Sequence, residues 1–468
     1  MNIKFRISAP TLVQLNQHLF SGDGNEAVAF ILCGHLRNEE ETVLLAHKVI
    51  PLSYESCPVR KPDKVTWITK ELATILNIAE KENLAIVKVH CHPGGFAQFS
   101  EIDDHSDSEL FPSIYNWAES DLPGLSAILL PGNELVVRHV SAIGEFSPVA
   151  ISIIGDEVSL FPGPNYQYKS TGDFETRNLQ VFGSKTRNLL SQMKVAVIGC
   201  SGTGSPVIEQ LNRLGIGTLV LIDPDVVEEK NLNRITNTTS ADAESKKFKV
   251  YALKDALVQI GLGTNIRAFN KSIFNPGMIK ELASCDFIFG CVDSAEARCL
   301  INRISHYYLV PYIDIGICLD ADGEGGVTHI SGKVAYFQPG KSDHLSRKSV
   351  LAQTVEAESL KRSSSKLYED RLNEGYIRGV DENSPAIIPV NTYASTLAVM
   401  EFLARIHDYR NEPNNLFAEQ VFCFVNDFRE RKSENDFNQA PNLAKSLGRG
   451  DIELLLDMPE FSKKMEAA

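Results

Sequence analysis

The sequence predicts an α/β protein of two units, and three observations carry that reading. Residues 1 to about 150 alternate short apolar runs with one helical pattern; residues 160–176, LFPGPNYQYKSTGDFET, are rich in Pro, Gly and polar residues; and from Lys194 onward apolar strands alternate with helices around a glycine turn. The boundaries drawn on this basis are 1–158, a linker at 159–176, 177–427 with a polar insertion at about 340–384, and a tail at 428–468.

In the first unit AVAFILCG, TVLLAHKVI, LAIVKVH, LSAILLP and ELVVRHVSAI read as strands, and KVTWITKELATILNIAEKENL carries apolar residues at helical spacing. In the second, KVAVIG, a glycine turn, the helix PVIEQLNRLG, strand TLVLID, a helix near 247–260 and strand DFIFGCVD give the βαβ rhythm of a parallel sheet. VPYIDIGI, GKVAYFQPG and the apolar helix YASTLAVMEFLARIHDY follow, and the insertion, with KRSSSK at its middle, reads as a mobile loop. The closing DIELLLDMPEFSKKMEAA reads as a short docking helix.

Composition narrows the function classes. The chain has 468 residues, 43% of them hydrophobic, which is enough for real cores. No run approaches the ~18 apolar residues of a membrane span and the start lacks a secretory core, so a cytoplasmic location is expected. Nine scattered cysteines without a CxxC fit a reducing compartment, and a net charge of -14 argues against nucleic acid or an anionic membrane as partner.

Two constellations carry chemistry. The first is VHCHPGGFAQFSEIDD, residues 89–104. His90 and His92, two apart on an extended segment, share a face; a catalytic zinc takes three protein ligands and a water, and Asp103 supplies a third, with Asp104 and His105 as alternatives. Asp104, His105 and Asp107 otherwise read as a solvated acidic turn or as supports of the ligands. HxHP followed by SxxD resembles the JAMM (MPN-plus) metalloprotease family. That resemblance implies an α/β zinc peptidase in which His90, His92 and Asp103 hold zinc, Glu26 of GNEAVAFILCG is the general base and Ser100 donates to the oxyanion. The spacing from Glu26 to its downstream glycine is one residue longer than the common family pattern.

The second constellation is KVAVIGCSGTGSPV, in which Gly199, Gly202 and Gly204 follow a strand and open a helix, a geometry that suits phosphate. Asp223 ends the next strand, where a carboxylate can bind ribose hydroxyls, and Asn231, Arg234, Lys249 and Asp293 follow. The series, NLNR above all, resembles the ThiF/MoeB and ubiquitin-activating superfamily over roughly 175–410, with a Rossmann-like fold. The resemblance implies that the glycines and Asp223 hold ATP, that Asn231, Arg234 and Lys249 grip its triphosphate, and that Asp293 binds magnesium. It also implies that Arg177 reaches a partner's ATP across a homodimer. Ser201 departs from the family's GxGGxG loop, and no cysteine lies between 319 and 422, so adenylation is expected while thioester formation has no such support and stays open; Cys318, Cys200 and Cys291 read as packing residues.

Together the resemblances imply one protein that adenylates a ubiquitin-like (β-grasp) C-terminal glycine and cleaves after such a tail, beside a conjugating enzyme in a bacterial-type system, antiphage operons included. Sulfur-carrier adenylation and a non-catalytic scaffold that binds the ubiquitin-like tail are the alternatives.

Overall fold

The computed structural model describes residues 2–118, 121–163, 172–373 and 386–461. The chain divides into two compact units, Met1–Tyr166 with His306–Leu309 and Asn442–Ala468, and Gln167–Ser305 with Val310–Pro441.

The first unit runs β1 (Asn2–Ser8), α1 (Ala9–Leu19), β2 (Val28–Arg37), β3 (Glu41–Pro51), the small hairpin β4 (Val59–Lys61) and β5 (Lys64–Thr66), and α2 (Lys70–Glu82). It continues with β6 (Ala85–Cys91), α3 (Glu101–Ala118), β7 (Gly124–Leu129), β8 (Leu135–Val140), β9 (Phe146–Pro148), β10 (Ala150–Ile154) and β11 (Val158–Phe161). Nine strands form one mixed sheet in the order β11-β10-β1-β3-β2-β6-β7-β8-β9.

The central strands are apolar on both faces because both are covered. Along β2, Ala29, Ile31 and Cys33 pack with Leu12, Leu15 and Leu19 of α1, whereas Val28, Phe30 and Leu32 pack with Leu72, Ile75 and Leu76 of α2 and with Phe111 and Ile114 of α3. The same alternation on β6 sends Val87, Val89 and Cys91 to the α1 face and leaves Lys88 and His90 for the other.

Several elements of this unit differ from the sequence reading, which also did not name strands β1, β9, β10 and β11. Residues Lys64–Thr66 are a strand, so the helix expected from Lys64 begins at Lys70. Helix α1 was not foreseen; Ser8 accepts from Thr11 N and Pro10 sits in its first turn, a start signal short enough to be read as loop. Helix α3 was hidden because the first turns of its sheet-facing stripe carry Asp103 and Asp107, and apolar residues, Phe111 and Ile114, come only after them.

The second unit runs α4 (Thr176–Leu190), β12 (Lys194–Ile198), α5 (Gly204–Arg213), β13 (Thr218–Ile222), α6 (Ser240–Glu244), α7 (Lys249–Ile260), β14 (Asn265–Phe269), α8 (Pro276–Ala283), β15 (Phe287–Gly290) and α9 (Ala295–Tyr308). Then come β16 (Tyr312–Ala321), β17 (Val327–Phe337), α10 (Ala352–Ser363), α11 (Ser365–Asn373), α12 (Ile388–Ile406), β18 (Glu419–Cys423) and β19 (Phe428–Lys432). The sheet order is β14-β13-β12-β15-β16-β17-β18-β19, parallel through β16 and antiparallel beyond it.

The insertion read as a loop holds α10 and α11, and its last residues, 374–384, lie outside the described residues. Of the expected linker, 159–161 extend β11 and Asp173–Glu175 form a 3-10 turn, while 164–171 lie outside the described residues. Strand β19 continues the second sheet past residue 427, and from Asn442 the chain belongs to the first unit, where α13 (Leu443–Ser446) precedes an isolated parallel bridge from Gly450 to His35. The closing segment forms two 3-10 turns, Leu455–Asp457 and Pro459–Phe461, where a helix was expected; 462–468 lie outside the described residues.

Candidate functional site

In the first unit, β2 and β6 bring the carboxylates and imidazoles together. The antiparallel register pairs Val28 with His90, and two residues further along it Glu26 falls beside His92. His90 Nε2 lies 3.0 Å from His92 Nε2 and 3.1 Å from Asp103 Oδ1, while His92 Nε2 is 3.7 Å from Asp103 Oδ2 and 3.8 Å from Glu26 Oε1.

Asp103 is fixed by the start of α3. Ser100 N and Ser100 Oγ donate to Asp103 Oδ2 at 2.8 and 2.7 Å, and Asp103 N donates back to Ser100 Oγ at 3.2 Å, the reciprocal pattern of a capping box. The Ser100 hydroxyl is therefore committed to the carboxylate it positions. Asp104 pairs with Arg138 at the surface and His105 is exposed beside Glu109, so neither alternative ligand joins the cluster. Asp107, read as part of a solvated acidic turn or as a support of the ligands, is not solvated: it is fully buried between Lys88 and Arg138.

His90, His92 and Asp103 are the one group of three such ligands found among the described residues, with donor atoms all within 4.8 Å of one another. Zinc bonds of ~2.0 Å at tetrahedral angles require ligand separations of roughly 3.3 Å, close to the 3.0 and 3.1 Å observed. The Phe96 carbonyl, 2.7 Å from His92 Nδ1, accepts that nitrogen's proton and turns Nε2 toward the cluster, the support usual for a ligating imidazole. The residues present fit zinc.

The electrostatics match. Burial pushes the Glu26 carboxyl up to about 7, with His92 opposing and Asp103 assisting. Burial also works against the charged form of Asp103, but hydrogen bonds from His90 and His92 hold its carboxyl well below the usual range. A cavity of about 350 Å³ includes the cluster in its lining, together with Glu26 and the apolar side chains of Trp67, Phe96 and Ile102.

In the second unit, the glycine turn after β12 is tight for reasons each glycine shows. Gly199 has φ +86°, and a Cβ on Gly204 would lie 1.8 Å from Gly199 O. A Cβ on Gly202 would lie 1.9 Å from Asn391 Nδ2 and 3.3 Å from Arg234 Cδ, so Arg234 and Asn391 both close on this loop. Asp223 accepts from Cys200 N at 2.7 Å and from Asp225 N at 2.8 Å, and burial raises its pKa against the pull of Lys249. Lys249 Nζ bonds Asp225 at 2.7 Å and sits 3.9 Å from Asp223.

The remaining expected residues are less gathered. Asn231 is buried and caps its own turn by accepting from Glu228 N. Asp293 is exposed just after β15, next to Arg298, which bonds buried Asp314 at 3.0 Å. Arg177 lies on the first turn of α4, bonded to Gln180 on the same helix. The sequence gives no local signal for Asn391, whose partner loop lies nearly 190 residues earlier.

Comparison with known proteins bears on both constellations. Residues 175–441 match the family model of the ThiF family, and residues 8–138 match that of prokaryotic homologues of the JAB domain. The chain is 31% identical over 158 residues to adenylyltransferase and sulfurtransferase UBA4 of Meyerozyma guilliermondii, covering 33% of this chain and 36% of that one. It is 30% identical over 165 residues to ubiquitin-like modifier-activating enzyme 5 of Caenorhabditis elegans, again 33% and 36%. The chain thus spans little more than a third of the length of these relatives. Among solved structures, E. coli MccB with ATP aligns at a TM-score of 0.43 and 19% identity over 58% of this chain and 74% of that one. The microcin C7 enzyme MccB with N-formylated MccA gives 0.45 and 15% over 88% and 98%.

Proposed function

The chain belongs to the ThiF family, and on that footing we propose that it is a bifunctional enzyme of a ubiquitin-like-protein pathway. Its second unit adenylates the C-terminal glycine of a ubiquitin-like partner, and its first unit is a zinc peptidase or isopeptidase that cleaves after the same tail. The setting proposed is a bacterial conjugation system with a conjugating enzyme, antiphage systems included, in the cytoplasm. No described helix is long and apolar enough to cross a membrane.

For adenylation, the tail carboxylate attacks the α-phosphorus of ATP, pyrophosphate leaves, and an acyl adenylate forms. The chemistry asks for positioning and for positive charge around the phosphates. Gly199, Gly202 and Gly204 let the backbone approach, Arg234 and Lys249 supply cations, Asp223 takes the ribose, and Asn231 holds the turn that carries Arg234. Asp293 would hold magnesium, and Arg177 would serve the partner's ATP in a homodimer.

For cleavage, His90, His92 and Asp103 would hold zinc, which would supply a Lewis acid able to lower the pKa of water toward neutrality. Glu26, with a pKa of about 7, is suited to take a proton and return it to the leaving amine. The Ser100 contacts favour holding Asp103 over donating to an oxyanion. The observation that carries this half is the convergence of Glu26, His90, His92 and Asp103 within 3.0–3.8 Å contacts at the floor of one cavity. A shared tail gives the fusion its sense, since tethering raises the local concentration of both sites.

ATP–pyrophosphate exchange with carriers ending in glycine tests the first half: no exchange with any of them sinks adenylation. Cleavage of a carrier fusion should stop with chelator, and persistence of cleavage without metal refutes the zinc mechanism. One relative, named an adenylyltransferase and sulfurtransferase, favours a second reading in which the adenylate becomes a thiocarboxylate. Mass spectrometry of the carrier product separates the two.

A further inference from the structure

Helix α12 brings its N-terminal turn to the glycine loop. Ser395 Oγ donates to Thr203 O at 2.7 Å, and one turn earlier Asn391 places its amide against Gly202. Asn391 is 3% exposed, yet among the described residues its Oδ1 has no hydrogen-bond partner. A buried amide with one end unused costs free energy of about 1–3 kcal/mol unless something else completes it. The amide can turn over, since its two ends have nearly the same shape, so the unused end can present N–H as readily as oxygen. Two further facts say what would complete it. The N-cap of α12, Ile387, makes no side-chain cap bond, so among the described residues the positive end of this 19-residue helix has no cap from that position. Arg234 approaches the same glycine from another side.

We propose that Asn391 and the first turn of α12 form a further phosphate-binding element of the nucleotide site, with the Asn391 amide donating to a phosphate oxygen of ATP once the loop is occupied. This rests on the adenylation reading above and adds a residue to it. The site is then closed from the C-terminal side of the unit by a helix that follows the insertion, and Gly202 is glycine because the amide stands where a Cβ would be.

The test is ATP binding by the full chain, measured by titration calorimetry with magnesium present. Asn391→Ala should weaken ATP about 5- to 10-fold and Asn391→Asp more than 10-fold, because a carboxylate would face the phosphates, while Asn391→Ser should fall between wild type and alanine. Melting temperatures within a few degrees of wild type show that folding is intact; if Asn391→Asp is unstable, the serine and alanine variants carry the comparison. Arg234→Ala in the same titration keeps the two claims apart. If Arg234→Ala weakens ATP and all three Asn391 variants bind within twofold of wild type, the proposal fails and the adenylation reading stands. If the wild-type protein binds no ATP, the adenylation reading itself falls and takes the proposal with it. Unchanged ATP affinity with a raised KM for a peptide ending in Gly-Gly would assign Asn391 to the substrate tail and overturn the phosphate role.

Discussion

Lys88 Nζ lies 2.5 Å from Asp107 Oδ1, directly beneath the His90–Asp103 contact. Four residues of helix advance about 6 Å and two residues of strand about 6.6 Å, so α3 and β6 stay in step and meet twice, once as a ligand pair and once as an ion pair. Arg138 Nη2 completes the second meeting, 2.7 Å from Asp107 Oδ2.

Asp107→Asn should therefore cost on the order of 3–5 kcal/mol at pH 7, because it leaves two cations with a neutral neighbour in a buried site. Burial raises the Asp107 pKa, but Lys88 and Arg138 more than offset it and hold the carboxyl below its ordinary value. A depressed folded pKa gives stability that is present above the unfolded value of about 3.9 and is lost as pH falls through the folded one. Urea unfolding at several pH values should show the difference between wild type and variant narrowing in acid; a difference that stays constant would remove the ion pair as its cause.

Ser100→Ala should loosen Asp103. Loss of the cap is expected to cost ~1 kcal/mol in the metal-free protein. Zinc affinity, read by competition with a chromogenic chelator, should fall roughly 10-fold or more, as is usual when a ligand's support is removed. Unchanged zinc affinity with lost cleavage would return Ser100 to the oxyanion role.

Glu26→Gln should separate binding from chemistry. The three ligands are untouched, so metal analysis should find zinc as in wild type, while cleavage drops on the order of 10²–10⁴-fold with the proton acceptor gone. Loss of zinc along with activity would make Glu26 a ligand.

Gly204→Ala should damage the second unit through geometry alone. The added methyl would stand 1.8 Å from a backbone oxygen, which cannot swing aside as a side chain would. We expect a destabilisation of about 1–3 kcal/mol and weaker ATP binding, seen in thermal melts and in pyrophosphate exchange. A silent substitution would mean that the loop has room that its contacts do not show.

The parts of the site that were legible in the sequence are those set by local geometry. His90 and His92 share a strand face by period two, and Ser100 and Asp103 share a helix start by the three-residue spacing of a cap. Glu26 owes its place to the pairing of β2 with β6, more than 60 residues apart, so spacing along the chain alone left it open. The βαβ core from β12 to β15 was readable because its strands are continuous apolar runs, while β14, a short edge strand with partly exposed residues, and α8 were not. Helices α10 and α11 stayed hidden because they bury almost no apolar side chains and so lack a stripe.

Residues 442–461 return to a unit that begins at the other end of the chain. Arg449 O occupies the space of a Cβ on Gly34, His47 Nδ1 meets Leu447 O at 2.7 Å, and Asp451 N donates to His35 O at 2.7 Å. The rim of β2 beyond its pairing with β6 is thus covered by a segment synthesised long after it. On the ribosome, the first unit must wait with that edge bare until some 280 further residues have been made, and domains fold in the order in which their pieces emerge. Cutting the gene after residue 163 would therefore yield a first unit with an open strand edge, prone to pair with a neighbour, unless 442–461 were supplied as a separate peptide.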